Sequence, residues 1–533
     1  MSASLAGTGT LIRFFLRKDR IKLPAWLAGF ALFVAYVGSA IPTIAPEQSD
    51  LAGMAPIFSQ PVGRMFTGPA FGMDAPTYER FFAAGYAPYL FVLAALMTIM
   101  LVTSHTRAEE QAGRAELLRA NVTGRHAGLT AALVVAAISS ALAGLVVALV
   151  SVAFGFAPAE SMLVGAATAL TGTAFAGITA VTVQLSANSR AAAGMAGLVL
   201  GLAFVLRALG DMVAVGGSAL SWASPLGWAA QTAPYVYDRW APLGLLVLLS
   251  AAGITVGYVL QSRRDFGASL IDPRPGPGAA GVLLSGSLGL AVRLQRGAMW
   301  GWGAGIVALG VIDGAFTQEM LDSLDDMPTA LVEIFGTEGL LDGFVAFLGS
   351  FVAILVAAYA VYAMQSVRDE ENRGRAEFVL ATPVGRVRWL GSHALVVACG
   401  VVGIVTVAGL GTALAAALVT GDVALIGEVL AAHLALVPAP LLVLGVVTAL
   451  FGWAPRLMAP VGWLLVALTA VVTLFGEMLD LPGWVLGLSP IHHLAEVPVE
   501  PFLAGPFLLV TVVAGVGTGL GLLGLRRREI GAV

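Results

Sequence analysis

The sequence predicts an all-α polytopic membrane protein made of two similar halves. Of its 533 residues, 58% are hydrophobic and only 11% are charged, and one polar stretch occurs twice. A soluble protein of ordinary composition carries about 25% charged residues, and the mean hydropathy here is +0.90. Many apolar windows reach the roughly 20 residues that a helix needs to cross a bilayer core. We therefore expect about twelve transmembrane helices, because a helix satisfies its own backbone hydrogen bonds in lipid.

The apolar windows fall into two sets of six. The first set lies near residues 24–44, 83–104, 127–153, 161–184, 192–210 and 241–262. The second lies near 299–316, 343–365, 388–418, 423–451, 458–476 and 502–525. Segments 211–240 and 477–501 are too polar and proline-rich to span, so we expect short re-entrant or interfacial pieces there. The outer loop 317–342 is strongly acidic and is interpreted as a solvated loop.

The basic residues predict the orientation. With the N-terminus inside, all 28 Lys and Arg residues except Arg64, Arg80, Arg207 and Arg239 fall on segments assigned to the cytoplasm. Cytoplasmic loops of membrane proteins carry an excess of Lys and Arg. We therefore expect a multi-pass plasma-membrane protein with both termini in the cytoplasm.

The repeated polar stretch divides the chain. RAEEQAGRAELLRANVTGR at 107–125 and RDEENRGRAEFVLATPVGR at 368–386 share 10 identities in 19 positions, at an offset of 261. RRDFGAS from Arg263 matches RREIGAV from Arg527, and SPLGW from Ser224 matches the start of SPIHH from Ser489. The predicted domains are a first half at 1–266, a Pro/Gly-rich cytoplasmic linker at 267–285 and a second half at 286–533. Because each half has six spans, the halves are parallel repeats.

Each copy of the stretch is predicted to form a short cytoplasmic helix. Four residue types then share one helical face: Glu109, Gly113, Glu116 and Ala120 in the first copy, and Glu370, Gly374, Glu377 and Ala381 in the second. Glu110–Arg114 and Glu371–Arg375 are spaced as i,i+4 ion pairs, worth ~0.3–0.5 kcal/mol each. A glycine inside a helix costs ~0.5–1 kcal/mol relative to alanine, so its presence in both copies favours a protein-docking element. The alternative is an ordinary polar loop retained from a duplication.

These motifs resemble the permease subunits of type-2 ABC exporters, and the whole chain resembles the twelve-span, two-half permeases of actinobacterial multidrug and antibiotic efflux systems. In that family, the loop between the second and third spans of each half carries a Glu-rich, Gly-containing coupling helix. The second copy has the proline that often follows this helix, Pro383, whereas the first has Val122. Arg114 and Arg375 stand where much of the family has threonine.

The resemblance implies that the two loops dock two copies of a separate ATPase, which would bind the ATP and Mg²⁺. The implied docking residues are Glu109, Glu110, Gly113, Arg114 and Glu116 in the first half, and Glu370, Glu371, Gly374, Arg375 and Glu377 in the second. The chain has no G-x-x-x-x-G-K-[ST] phosphate loop, and its only lysines are Lys18 and Lys22. We therefore expect no bound cofactor, no metal site, no catalytic residues and no nucleic-acid partner. The expected partners are the ATPase, membrane lipid and a hydrophobic or amphipathic small-molecule cargo.

Other polar residues suggest interfacial helices and a substrate path. Arg13, Arg17 and Arg20 lie on one side of an N-terminal amphipathic stretch, which resembles the family's elbow helix, with a weaker copy around 290–298. The alternative is a basic flank that only sets topology. Arg207 is a candidate for the substrate path, although a local ion pair with Asp211 explains it as well.

Two further path candidates, Glu428 and His433, are predicted to share a face near the start of the tenth span. Two other function classes remain open from sequence alone. One is a secondary transporter driven by protons or sodium, and the other is a lipid-modifying membrane enzyme or scaffold.

Overall fold

The computed structural model describes residues 3–114, 116, 123–265, 267–271, 278–279, 281, 284, 286–322, 340–476 and 482–529. Every regular element within these ranges is a helix. The chain divides into two compact units, the first ending at Gly276 and the second beginning at Pro277. This division falls within the segment 267–285, which the sequence suggested as a linker.

The first unit has long helices joined by short ones. Its α-helices are α1 (Thr8–Lys18), α2 (Lys22–Ile44), α3 (Leu51–Ser59), α4 (Pro61–Thr67), α5 (Tyr78–Gly85), α6 (Ala87–His105), α7 (Arg107–Gln111), α8 (Ala127–Ala153), α9 (Pro158–Leu185), α10 (Ser189–Val213), α11 (Pro225–Ala230) and α12 (Leu243–Ser262). Three-residue 3₁₀ turns lie at Ala3–Leu5, Gln48–Asp50 and Ser221–Ala223.

The second unit follows a similar order. Its α-helices are α13 (Ser287–Ala315), α14 (Thr317–Asp322), α15 (Leu340–Asn372), α16 (Arg375–Leu380), α17 (Arg386–Thr420), α18 (Leu425–Ala435), α19 (Pro438–Trp453), α20 (Met458–Phe475), α21 (Gly483–Leu486) and α22 (Ala504–Arg527), with a 3₁₀ turn at Ile491–His493. Its core centres on buried residues such as Tyr359, Val361, Val401, Val447 and Phe451.

The prediction of a polytopic all-α membrane protein is confirmed. Within the described residues, eleven helical segments are long and apolar enough to cross a membrane. They correspond to eleven of the twelve predicted windows, and the remaining window, 458–476, forms the shorter apolar helix α20. The tenth window contains two helices, α18 and α19, because a turn at Leu436 and Val437 precedes the proline that begins α19.

The interfacial elements differ between the two units. In the first, α1 is a separate amphipathic helix whose Leu11 and Phe15 pack against α8. In the second, the expected copy around 290–298 is not a separate elbow, because it is the first part of the continuous helix α13. The short helices α3, α4 and α5 were not predicted. Their amphipathic or proline-interrupted sequences are too short to stand out as apolar windows.

The segments expected to be re-entrant or interfacial contain only short helical pieces. In the first unit, α11 begins where Ser224 Oγ accepts hydrogen bonds from Leu226 N and Gly227 N, and Pro225 occupies its first position. This is the cap-and-proline start that helices favour. In the second unit, α21 and the 3₁₀ turn lie at the corresponding place, while 477–481 and most of the acidic loop 317–342 lie outside the described residues.

Small residues set the distances between the long helices. A Cβ placed on Gly144 of α8 would lie 2.2 Å from the carbonyl oxygen of Gly165 in α9. Gly177 and Gly253 bring α9 and α12 together in the first unit, and Gly445 and Gly517 bring α19 and α22 together in the second. Transmembrane helices gain little from burying apolar surface, so they associate through such close backbone packing.

We predict that Gly144→Ala destabilises the protein and that Gly128→Ala, in the same helix, does not. The alanine at 144 would collide with backbone, whereas a Cβ at 128 has no neighbour within 4 Å. Overpacking costs about 1–3 kcal/mol. Thermal unfolding of the detergent-purified protein checks this, and equal midpoints for the two variants would contradict the packing account.

Candidate functional site

The loop after the second span of the first unit is held by a network of ion pairs. Glu109 accepts hydrogen bonds from Lys18 of α1 and from Arg114, whose Nε lies 2.8 Å from Glu109 Oε2. Glu109 is only 3% exposed. The two cations neutralise this buried carboxylate, so the loop is fastened to the N-terminal helix.

The neighbouring carboxylate, Glu110, links the same loop to the residues that follow the last helix of the unit. Glu110 Oε2 lies 2.7 Å from Arg107 Nη1, and Glu110 Oε1 lies 2.8 Å from Arg264 Nη2. Arg264 follows α12, the last span of the unit. Arg107, which is 1% exposed, also donates to the carbonyl oxygens of Val183 and Ala268. The loop, the end of α9 and the end of α12 therefore form one hydrogen-bonded body.

The second unit repeats this arrangement at matching positions. Arg375 Nε donates to Glu370 Oε2 over 2.9 Å, as Arg114 does to Glu109. Arg528 Nη1 lies 2.8 Å from Glu371 Oε1, as Arg264 pairs with Glu110. Arg264 and Arg528 are the second arginines of the RRD and RRE motifs that end the two halves. Each copy of the polar stretch thus binds the end of its own unit's last helix.

A further pair of contacts matches in position but not in chemistry. In the first unit, Asp19 Oδ2 lies 2.5 Å from His105 Nε2, and Phe15 stacks on that imidazole at 4.2 Å between ring centroids. In the second unit, Ser366 stands 261 residues after His105, and Gln295 Nε2 donates to its hydroxyl over 3.0 Å. The first unit uses a carboxylate–imidazole contact here and the second an amide–hydroxyl contact.

Two details of the predicted docking helix are wrong. The i,i+4 pairs Glu110–Arg114 and Glu371–Arg375 do not form, because Arg114 and Arg375 bind the preceding carboxylates, Glu109 and Glu370. The shared helical face does not form either, because each helix ends two residues before its glycine. Gly113 has φ +70° and Gly374 has φ +68°, a left-handed conformation that glycine adopts without strain. The glycines therefore serve the turn, and Ala120 and Val122 lie outside the described residues.

The structure divides the predicted docking residues into a buried and an exposed group. Glu109, Glu110, Glu370 and Glu371 are largely buried in the ion pairs. By contrast, Gly113, Arg114 and Glu116 in the first unit and Arg375 and Glu377 in the second are exposed, and Gly374 is half-buried. The side chain of Phe378 stands out, because the residue is 79% exposed on the short helix α16. The hydrogen bonds to Glu109 and Glu370 raise the pKa of Arg114 and Arg375, so both arginines stay charged.

A cavity of about 590 Å³ lies beside the loop of the first unit. Its walls come from α1, the loop, and the ends of α9 and α12, and include Phe15, His105, Glu109, Glu110, Arg125 and Arg264. This volume is within the range of ligand pockets, about 300–1,000 Å³. Because both loop carboxylates line it, the cavity belongs to the same candidate site.

The three predicted path residues lie in α10 of the first unit and α18 of the second. Arg207 is fully buried in α10, where it lies 3.3 Å from Asp211 and donates to the carbonyl oxygen of Met65. This is the local ion pair that the sequence offered as the alternative. Glu428 is exposed whereas His433 is buried and bonds the carbonyl of Val429, so the predicted shared face is wrong. Their spacing of five residues places them on different sides of α18.

Sequence reasoning missed the partners of the loop carboxylates, namely Lys18, Arg264 and Arg528. The repeated RRD and RRE motifs were recognised only as marks of duplication. A signal did exist, because a basic pair and an acidic pair recur at equivalent places in both halves. Long-range pairing itself cannot be deduced from local spacing.

We predict that Glu110→Gln lowers stability strongly, since it leaves Arg107 and Arg264 without their carboxylate. Removing one partner of a buried ion pair costs on the order of 3 kcal/mol. Glu116→Gln, an exposed change in the same loop, should fall within ~0.5 kcal/mol of the parent. Thermal unfolding of the two purified variants decides this, and similar midpoints would show that the Glu110 pairs contribute little.

Comparison with known proteins identifies the family of this chain. The family model described as "Multidrug efflux system permease Rv1217c, C-terminal domain" matches residues 9–260 and 284–526. The chain is also 36% identical, over 537 aligned residues, to the multidrug efflux system permease protein Rv1217c of Mycobacterium tuberculosis (strain ATCC 25618 / H37Rv). That alignment covers 99% of this chain and 96% of the relative. The chain therefore belongs to the multidrug efflux system permease family of Rv1217c.

Proposed function

We propose that this chain is the membrane subunit of an ATP-driven exporter that moves hydrophobic or amphipathic small molecules out of the cell. Two copies of a separate ATPase would bind to its two polar loops and supply ATP and Mg²⁺. The observation that carries this proposal is the duplicated loop. In each unit it is held by equivalent buried ion pairs and has an exposed polar tip, namely Arg114 and Glu116 in the first unit and Arg375 and Glu377 in the second. The name of the relative supports drug-like cargo.

The exposed tips supply the docking surface. Arg114 and Glu116 in the first loop, and Arg375 and Glu377 in the second, provide matched charges for a partner. Phe378 adds a large apolar side chain to the second tip. Aromatic and arginine side chains are the residue types most often found to dominate binding energy at protein interfaces. We therefore expect docking through the tips and not through the buried carboxylates that the sequence emphasised.

The buried carboxylates would transmit the motion of the ATPase. Glu110 joins the first loop to Arg264 after α12, and Glu371 joins the second loop to Arg528 after α22. In the first unit, Lys18 adds a link to α1. Because these pairs are largely buried, they are weakly screened by salt. A displacement of a tip would therefore move the last span of the same unit with it.

The lysines support the assignment of ATP hydrolysis to a partner. Lys18 is paired with Glu109, and Lys22 lies near Asp19, so each is next to a carboxylate and neither follows a glycine-rich phosphate loop. The polar loops and helix ends that carry these lysines and carboxylates are also rich in arginine. The positive-inside rule assigns those ends, and both termini, to the cytoplasm.

The first test is the mass of the native complex, purified gently from its own membrane. We expect one copy of this chain with two copies of a phosphate-loop ATPase. The matching measurement is transport in proteoliposomes with and without ATP. A lone chain that transports along a proton or sodium gradient without ATP would overturn the proposal and favour a secondary transporter.

We further predict that charge reversal at the tips weakens assembly without harming the fold. Glu116→Arg combined with Glu377→Arg and Phe378→Ala removes exposed groups only, so thermal unfolding should be unchanged. The ATPase should co-purify at least about tenfold less, since hot-spot truncations typically cost 2 kcal/mol or more. Asp74→Arg, an exposed reversal outside the loops, is the control. Full co-purification by the triple variant would rule out the tips as the docking surface.

A further inference from the structure

The second unit carries a cluster of three arginines that, among the described residues, outnumber the two carboxylates near them. Arg368 lies near the end of α15, Arg456 in the turn between α19 and α20, and Arg528 directly after α22. Arg456 and Arg528 are both near enough to Arg368 to repel it, and the carboxylates that oppose this repulsion are Glu371 and, more weakly, Asp369. Glu371 is already engaged by Arg528. Arg368 and Arg528 thus share the carboxylate of Glu371.

Two donors in this cluster have no acceptor among the described residues. Arg368 Nη1 and Arg528 Nε are both buried and make no hydrogen bond within that part of the chain. Arg528 rests instead over the ring of Phe451, 5.4 Å from its centroid. A buried donor without an acceptor costs about 1–3 kcal/mol. Such groups in native proteins commonly mark a bound water or ion.

In the first unit, the equivalent cluster has additional hydrogen-bond acceptors. There the matching arginines, Arg107 and Arg264, share Glu110 and also donate to Gln184 Oε1 and to the carbonyl oxygens of Val183 and Ala268. When α9 and α19 are aligned so that Gly177 matches Gly445, Gly452 of α19 is the residue equivalent to Gln184 of α9. Glycine has no side-chain acceptor. The side-chain acceptor that Gln184 provides in the first unit therefore has no side-chain equivalent at Gly452 in the second.

The surroundings of the cluster are suited to a lipid. It opens to the surface at Arg456, which is exposed. Next to Arg456 along the chain, Leu457 is 51% exposed, and Trp453, at the end of α19, is 55% exposed. Tryptophan is enriched at the level of lipid headgroups. An exposed apolar strip beside a basic pocket offers contacts for both an acyl chain and a phosphate.

We propose that Arg368, Arg456 and Arg528 bind the phosphate of an anionic phospholipid at the arginine-rich end of the second unit. The guanidinium fork matches the geometry of phosphate oxygens, and basic pockets between transmembrane helices on the cytoplasmic side bind anionic headgroups. The phosphate would accept from the two unpaired donors and balance the excess charge. This site does not depend on the partner ATPase.

The test is native mass spectrometry of the full chain in detergent, titrated with phosphatidylglycerol or, as the zwitterionic comparison, phosphatidylcholine. The parent protein should bind phosphatidylglycerol preferentially. Arg368→Gln with Arg456→Gln should weaken that binding roughly 30-fold, since each basic residue contributes about fivefold. Arg388→Gln, an exposed arginine of α17 outside the cluster, is the matched control and should bind as the parent does. If the double variant fails to fold, Arg456→Gln alone should weaken binding about fivefold.

Three outcomes would overturn the proposal. The first is equal binding by the parent, the cluster variants and Arg388→Gln. The second is inorganic phosphate that competes as well as phosphatidylglycerol, which would assign the cluster to a free anion. The third is a preference for phosphatidylglycerol that appears only in a chain shortened to end at Glu529. That result would mean that residues 530–533 occupy the cluster.

Discussion

The structure depends most on one ion pair that occurs once in each unit. Glu110 with Arg264, and Glu371 with Arg528, join the loop after the second span to the end of the sixth. The two partners are 154 residues apart in the first unit and 157 apart in the second, so each pair joins segments that are distant in the sequence. Because both carboxylates are largely buried, the loop cannot move far without either moving the last span or leaving a charge unpaired in a poorly solvated place.

The small residues impose the second constraint. The loop can reach the end of the sixth span only because that span packs tightly on the fourth, through Gly177 and Gly253 in one unit and Gly445 and Gly517 in the other. Larger residues at these positions would separate the helix ends that carry Arg264 and Arg528. Helix packing within the apolar part therefore positions the charged groups outside it.

The two units share these ion pairs and glycine contacts but differ in the elements around them. The first has a separate N-terminal helix whose Lys18 and Asp19 bind the loop and the second span. The second has a continuous first helix, a neutral Gln295–Ser366 contact and an arginine cluster with unpaired donors. Its tip also exposes Phe378. Equivalent loops are therefore embedded in different surroundings in the two units.

The sequence by itself determined the class of protein, nearly all the spans and the duplicated loop, because hydropathy and internal identity are local properties. It also singled out the acidic residues at 109, 110, 370 and 371, as candidates for docking a partner. Their roles were decided only by tertiary structure. Local spacing favoured Glu110 with Arg114, but folding brings Arg264 to Glu110 and leaves Arg114 for Glu109. Likewise Glu428 and His433 were predicted to share a helical face, but packing buries His433 and leaves Glu428 exposed. Which charged groups form ion pairs depends on which of them the fold buries together, and burial is a property of the whole tertiary structure.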